Sequence, residues 1–180
     1  VHGRATYVTV NISSPDTSGL RDLQEEDTLR RFIGRLREEQ EKLGSNGRRK
    51  PMLLKIAPDL TEAEMDAMAE VLLAAGIDGL ICTNTTIERD AIKGHRHAHE
   101  AGGLSGAPVF ARATAVLAGM ANRTNGTLPI IGVGGILDGT DAQAKIAAGA
   151  TLVQFYTGMI YRGPALIGES VEAIRAGRGF

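Results

Sequence analysis

Apolar positions along this chain switch repeatedly between a two-residue period and a helical one. The β-branched run Tyr7-Val8-Thr9-Val10 stops at Asn11-Ile12-Ser13-Ser14-Pro15-Asp16-Thr17-Ser18-Gly19, so it reads as a strand that opens into a polar loop. Leu29, Phe32, Ile33, Leu36 and Leu43 then share one helical face, predicting a helix over about 27–43 that Gly44 ends. After the basic connector 44–50, Met52 to Ala57 predicts a second strand closed by Pro58. Thr61 with Glu64 forms a capping box for a helix carrying Met65, Met68, Leu72 and Leu73 up to Gly76. Gly79 to Asn84 is a third strand, and 85–106 is a long irregular segment, the kind that serves as a lid or binding loop. Pro108 sits in the first turn of a helix containing Val109, Val116, Leu117 and Met120, which Asn122 to Gly126 ends. Pro129 to Ile136 is a fourth strand, Thr140 with Gln143 a second capping box, Thr151 to Gly158 a fifth strand, and Pro164 starts a last helix.

Five nearly continuous apolar strands separated by helices predict an α/β protein with a parallel sheet covered on both faces. An open doubly wound sheet gathers its site at one switch point, whereas a barrel draws groups from many strand ends. Here Asn11 and Ser14, Lys55, Thr83 and Asn84, Gly134 and Gly135, and Tyr156 and Thr157 all stand at or near strand ends. That distribution predicts a (β/α)8 TIM barrel of which this chain carries about five βα units, as a single domain over 1–180. Five strands do not close a barrel, so about three units are expected on the N-terminal side. The chain opens on Val1 rather than methionine, which predicts a piece of a longer protein or a processed product.

Composition narrows the function classes. The 180 residues are 43% hydrophobic, and a formal net charge of -1 gives no reason to expect nucleic acid. The one cysteine, Cys82, excludes an internal disulfide and reads as a small buried hydrophobe. No apolar run approaches the roughly 20 residues that cross a bilayer, so the chain itself is expected to be soluble.

The polar strand ends suggest specific chemistry. Gly132, Gly134 and Gly135 let backbone N–H groups approach a phosphate or merely make a tight turn; Tyr156-Thr157-Gly158 on the next strand adds weight to the phosphate. Lys55, between apolar neighbours, is either a lysine that snorkels to the surface or a cation fixed beside developing negative charge. Asn11 and Asn84 each offer a donor and an acceptor, which suits a small planar polar ligand. Ser14 is a turn or cap by itself, and a base only where its own proton passes to water or to a developing anion. His95, His97 and His99 match no zinc spacing and read as a solvated loop, so no metal is expected.

Asn11 to Gln24, Lys55-Ile56-Ala57-Pro58-Asp59-Leu60, Ile77-Asp78-Gly79-Leu80 with Thr83-Asn84-Thr85-Thr86, Gly102-Gly103-Leu104-Ser105-Gly106, Pro129 to Ile136 and Ile146 to Thr157 together resemble the quinone-dependent (class 2) dihydroorotate dehydrogenase family. The resemblance spans essentially the whole chain and implies the C-terminal part, from the fourth strand onward, of an FMN-binding barrel. The family's N-terminal helices, which contact the membrane and quinone, have no counterpart here. The implied reaction oxidises dihydroorotate to orotate in pyrimidine biosynthesis, with reoxidation by quinone. By resemblance, Ser14 removes the C5 proton while hydride leaves C6 for the flavin, and the serine points to the quinone-using class because the cytosolic class has cysteine there. Asn11, Asn84 and Thr85 are implied to hold orotate. Asn11, Lys55, Thr83, Gly106, Gly135, Tyr156 and Thr157 are implied to contact FMN. Peripheral association with an inner membrane, bacterial or mitochondrial, is implied for the full-length protein only.

One position departs from the family pattern. Asp16 stands where the family has an asparagine, so an acceptor-only carboxylate would face an anionic orotate at an expected substrate-binding position. Two other readings stay open: an inactive barrel fragment, and another FMN-dependent pyrimidine oxidoreductase, which would be expected to carry a catalytic cysteine instead of Ser14.

Overall fold

The computed structural model describes residues 4–44 and 49–177. Most of the predicted 44–50 connector, together with Val1, therefore lies outside the described residues. Five parallel strands, β1 (Val8–Asn11), β2 (Met52–Ile56), β3 (Gly79–Cys82), β4 (Ile130–Val133) and β5 (Leu152–Gln154), form one sheet in the order β1-β2-β3-β4-β5. Sequential order without reversal is what a barrel wall requires, and a doubly wound sheet would reverse at its switch point.

The helices follow the predicted alternation: α1 (Glu26–Gly44), α2 (Glu62–Ala75), α3 (Phe110–Arg123), α4 (Gly139–Ala147), α5 (Thr157–Arg162) and α6 (Ala165–Gly177). At α2 the Thr61 hydroxyl accepts from Glu64 N while Glu64 Oε2 accepts from Thr61 N, and Gly76 closes the helix at φ 62°. The reciprocal cap satisfies two otherwise orphaned donors and is worth on the order of 1 kcal/mol. Three expectations change. The cap of α4 is Asp138, whose carboxylate accepts from Asp141 N at 2.8 Å, and not Thr140. The fifth strand ends at Gln154, and Thr157 and Gly158 begin the short helix α5. Leu43 and Leu73, counted as core-facing, are exposed.

Strand alternation sorts the sheet into two faces. Met52, Leu54, Ile56, Leu80, Cys82 and Ile130 pack with Leu29 and Ile33 of α1, Met65, Met68 and Leu72 of α2, and Leu117 and Met120 of α3 in the main core. Leu53, Ile81, Ile131 and Val133 form a smaller cluster on the opposite face, and Lys55 shares that face with Leu53. On the same face the edge strands are open: Thr9 and Asn11 of β1, and Leu152 and Gln154 of β5, are exposed.

Candidate active site at the carboxyl ends of the strands

Where the strands stop, backbone hydrogen bonds carry the register into the loops. Ile12 N donates to Lys55 O at 3.4 Å, Asn84 N to Ile56 O at 2.8 Å, and Thr83 N to Val133 O at 3.1 Å. These contacts bring three loops together at fixed height. Asn84 Nδ2 donates to Asn11 Oδ1 at 3.2 Å and to Ser13 Oγ at 3.1 Å, and Ser13 Oγ donates to Lys55 O at 2.9 Å. Asn84 Oδ1 accepts from Thr85 N at 2.8 Å, which fixes the amide's orientation by occupying its acceptor end. A network of this kind holds its members in one arrangement, because a broken link leaves a polar group unpaired.

Beside this network lies a cavity of about 310 Å³, within the range of small-molecule sites. Lys55, Thr83, Asn84, Thr85, Gly106, Gly135, Tyr156 and Thr157 all line it. The structure thus brings together eight of the residues expected from sequence. Asn11 adjoins it through Asn84. Ser14 and Asp16 lie outside the cavity lining, on the loop above the network: Ser14 is half-buried, Asp16 is exposed, and Asp16 N donates to Ser14 Oγ at 3.4 Å.

The cavity lining extends along the sheet from Lys55 on β2 to the loops after β4 and β5, and these two sides differ chemically. At one end the Ser105 and Thr157 hydroxyls are hydrogen-bonded at 3.0 Å, beside the backbone of Gly106, Gly134 and Gly135. Gly106 and Gly135 have φ of 78°, and a Cβ on Gly135 would stand 2.5 Å from the Phe110 Cβ, so only glycine permits this backbone. At the other end is Lys55, whose pKa is lowered by burial, with no carboxylate partner among the described residues. Val109, Val133, Ile136 and Phe155 supply apolar wall between them. Hydroxyls and free backbone at one end, a desolvated cation at the other and an apolar wall between fit an elongated, flat, phosphate-bearing group such as FMN.

Sequence reasoning passed over three groups here. Ser13 is fully buried and fully bonded, whereas its neighbour Ser14 is the one expected from sequence. Arg21 and Asp59 form an ion pair at 2.8 Å, and the same guanidinium bonds the Ser13 and Thr85 carbonyls. Asp59 follows the strand-ending Pro58, and a carboxylate at a strand end was the available signal. His95, His97 and His99 are exposed, and among the described residues no group of three or more His, Cys, Asp or Glu side chains is placed to hold a metal ion.

A sequentially ordered parallel sheet whose strand ends share one ligand-sized cavity defines a barrel-type α/β protein with its site at the carboxyl ends of the strands. The chain belongs to the dihydroorotate dehydrogenase family, whose sequence profile matches residues 1–176. Over 179 residues it is 58% identical to the dihydroorotate dehydrogenase (quinone) of Flavobacterium lutescens, covering 99% of this chain and 51% of that protein. The same enzyme of Xylella fastidiosa (strain 9a5c) is 56% identical over 179 residues, with the same coverage. Among solved structures, the Eimeria tenella dihydroorotate dehydrogenase in complex with ferulenol is similar at a TM-score of 0.90 and 42% identity, covering 96% of this chain and 50% of that one. The ligand-free form of the Eimeria protein is similar at 0.89 and 43% identity. The chain spans about half the length of the curated relatives it matches.

Proposed function

We propose that this chain supplies the FMN-binding and substrate-binding part of a quinone-dependent dihydroorotate dehydrogenase, as the C-terminal portion of a (β/α)8 barrel. The observation that carries the reading is the joining of the Asn11–Ser13–Asn84 network to a cavity with a desolvated lysine at one end and glycine backbone with hydroxyls at the other. Gly106, Gly135, Tyr156 and Thr157 hold the phosphate and ribityl part of FMN, and Lys55, Thr83 and Asn11 hold its ring. Bound FMN supplies an acceptor for the hydride that leaves C6 of dihydroorotate.

The chain's own residues do the rest. Asn11 presents its amide NH2 and Thr85 its hydroxyl to the ring of the substrate, Asn84 turns to it an amide hydrogen that otherwise bonds Asn11 or Ser13, and Asp16 faces it from the loop. Ser14 Oγ takes the C5 proton and releases its own to water, to which its half-buried position leaves access. Lys55 stands as a cation beside charge that develops on reduction, and its partial burial strengthens that interaction. Reoxidation by quinone and peripheral association with an inner membrane belong to the full-length protein. Among the described residues, no helix is long and apolar enough to cross a membrane.

The exposed edges favour a second reading, a fragment that folds without turnover. Leu152 of β5 and Ile160 and Tyr161 of α5 are 60%, 66% and 79% exposed, as expected of a surface that another part of a longer chain covers. One experiment separates the two. Purified chain that carries FMN by its absorbance and reduces a dye with dihydroorotate supports the enzyme. Chain that is colourless, stays so with added FMN, and leaves the dye oxidised overturns that activity for the 180 residues.

A further inference from the structure

Arg21 spreads one guanidinium over three segments of the mouth. Its Nε donates to Ser13 O at 3.3 Å, its Nη2 to Thr85 O at 3.1 Å, and its Nη1 to Asp59 Oδ2 at 2.8 Å. The Ser13 carbonyl belongs to the peptide that joins Ser13 to Ser14. The Thr85 carbonyl belongs to a residue assigned above to the substrate. One planar cation therefore fixes the backbone on both sides of the proposed substrate position.

Asp59 in turn holds Arg21 in place. Its carboxylate side chain is only 9% exposed, and it accepts from the Thr86 hydroxyl and from Ile87 N at 3.1 Å, while Arg112 Nε stands 3.2 Å away. A charge-assisted bond from Arg21, two neutral donors and the nearby Arg112 charge, whose Nε donates to Pro58 O at 3.0 Å, leave this carboxylate little freedom to move. The loop between Ser13 and Arg21 contrasts with its anchors, since residues 16–19 are exposed. Ser13 is tied at one end by Asn11, Lys55 O and Asn84, and Arg21 at the other by Asp59. A lysine at position 21 would bring the charge without three coplanar donors, so it would satisfy Asp59 and release one or both carbonyls.

We infer that Arg21, clamped by Asp59, is a positioning residue for proton abstraction: it sets the Ser13–Ser14 peptide and Thr85 at their working separation without itself touching substrate. The inference rests on the dihydroorotate dehydrogenase reading. Displacement of a reacting group by about 1 Å costs on the order of a hundredfold in rate, so loss of the clamp acts on turnover first.

The test compares Arg21→Lys and Asp59→Asn with the parent as flavin-loaded holoenzymes. The measurements are kcat and KM for dihydroorotate, orotate Kd by calorimetry, FMN bound per chain, and Tm. Expected for both is a fall in kcat of about tenfold or more, with a smaller change in KM, FMN content retained and Tm close to the parent. Arg21→Lys, which keeps the charge, carries the test if Asp59→Asn fails to fold. A kcat within about twofold of the parent overturns the inference, as does activity lost only in proportion to lost FMN, which marks a merely structural role. If the parent holoenzyme neither binds orotate nor oxidises dihydroorotate, the functional reading falls and takes this inference with it.

Discussion

Asn84 and Asn11, 73 positions apart in sequence, are joined by a hydrogen bond of 3.2 Å from Nδ2 to Oδ1. The same Nδ2 reaches Ser13 Oγ at 3.1 Å, so one amide closes the gap between the loops after β1 and β3. Asn84→Ala removes both contacts: Asn11 Oδ1 still accepts from Ser13 N and Oγ, but the buried Ser13 Oγ loses its donor. The expected result is orotate affinity weaker by about tenfold, the equivalent of one lost net hydrogen bond plus partial desolvation, read by calorimetry.

Ser14→Ala removes the proposed proton acceptor and its long, exposed bond from Asp16 N, and leaves the buried bonds of Ser13 in place. Turnover of dihydroorotate is expected to fall by about 10² to 10⁴, the usual yield of a positioned acid or base. Orotate affinity should stay near that of the parent. Equal loss in both quantities would assign Ser14 to binding instead.

In the proposed reading Asp16, exposed on the loop after β1, would turn a carboxylate toward an anionic ligand where the family resemblance implies an asparagine. The loop after the third strand comes near, since a Cβ on Gly102 would lie 3.6 Å from Asp16 Oδ1. Asp16→Asn is expected to tighten orotate binding by about 1–3 kcal/mol, because the amide adds donors and removes the repulsion. An unchanged kcat/KM for dihydroorotate would remove Asp16 from the site.

Lys145 is fully buried on α4, donating to Thr114 Oγ1 at 2.8 Å and to Phe110 O at 3.4 Å, with Nζ 4.7 Å over the Phe110 ring. Burial pulls its pKa down to about 8, against the opposing pull of Asp141 and Cys82. The folded protein thus gives up this proton at lower pH than the unfolded chain. Between that pKa and the ordinary 10.5, the unfolded chain binds more protons, so stability rises with pH. Below about 8 the cost of charging the buried amine is fully present. Urea unfolding of the parent and of Lys145→Met, each followed from pH 8 to 10.5, checks this. The parent's stability should gain on the variant's by up to about 3 kcal/mol over the window. A constant difference would mean that Lys145 titrates normally.

Periodicity alone determined most of the architecture. Apolar runs too continuous for one-sided strands, alternating with helical spacings, admit only a parallel sheet with helices between its strands. The Thr61 capping box and the Gly76 stop were legible because each depends on residues within a turn of one another. Most of the proposed site was legible too, since chemistry in a parallel sheet gathers where strands end and strand ends are visible as apolar runs giving way to polar residues. The limits of that logic appear at Thr157, where an apolar run extended the predicted fifth strand into what folds as helix α5.

Only the tertiary structure decided which polar groups share a network and which merely neighbour it. Ser13 and Ser14 are indistinguishable as letters, yet one is buried against Lys55 O and Asn84 while the other is half-buried on the loop above the cavity. Arg21 and Asp59 are charged residues 38 positions apart, with no local pattern to join them. Their pairing exists because β1 and β2 are adjacent and parallel, which brings the ends of both strands to one side of the sheet. Hydrogen bonds of this kind depend on distances of a few tenths of an ångström between segments far apart in the chain. Local spacing carries no information on such distances, which follow from strand register.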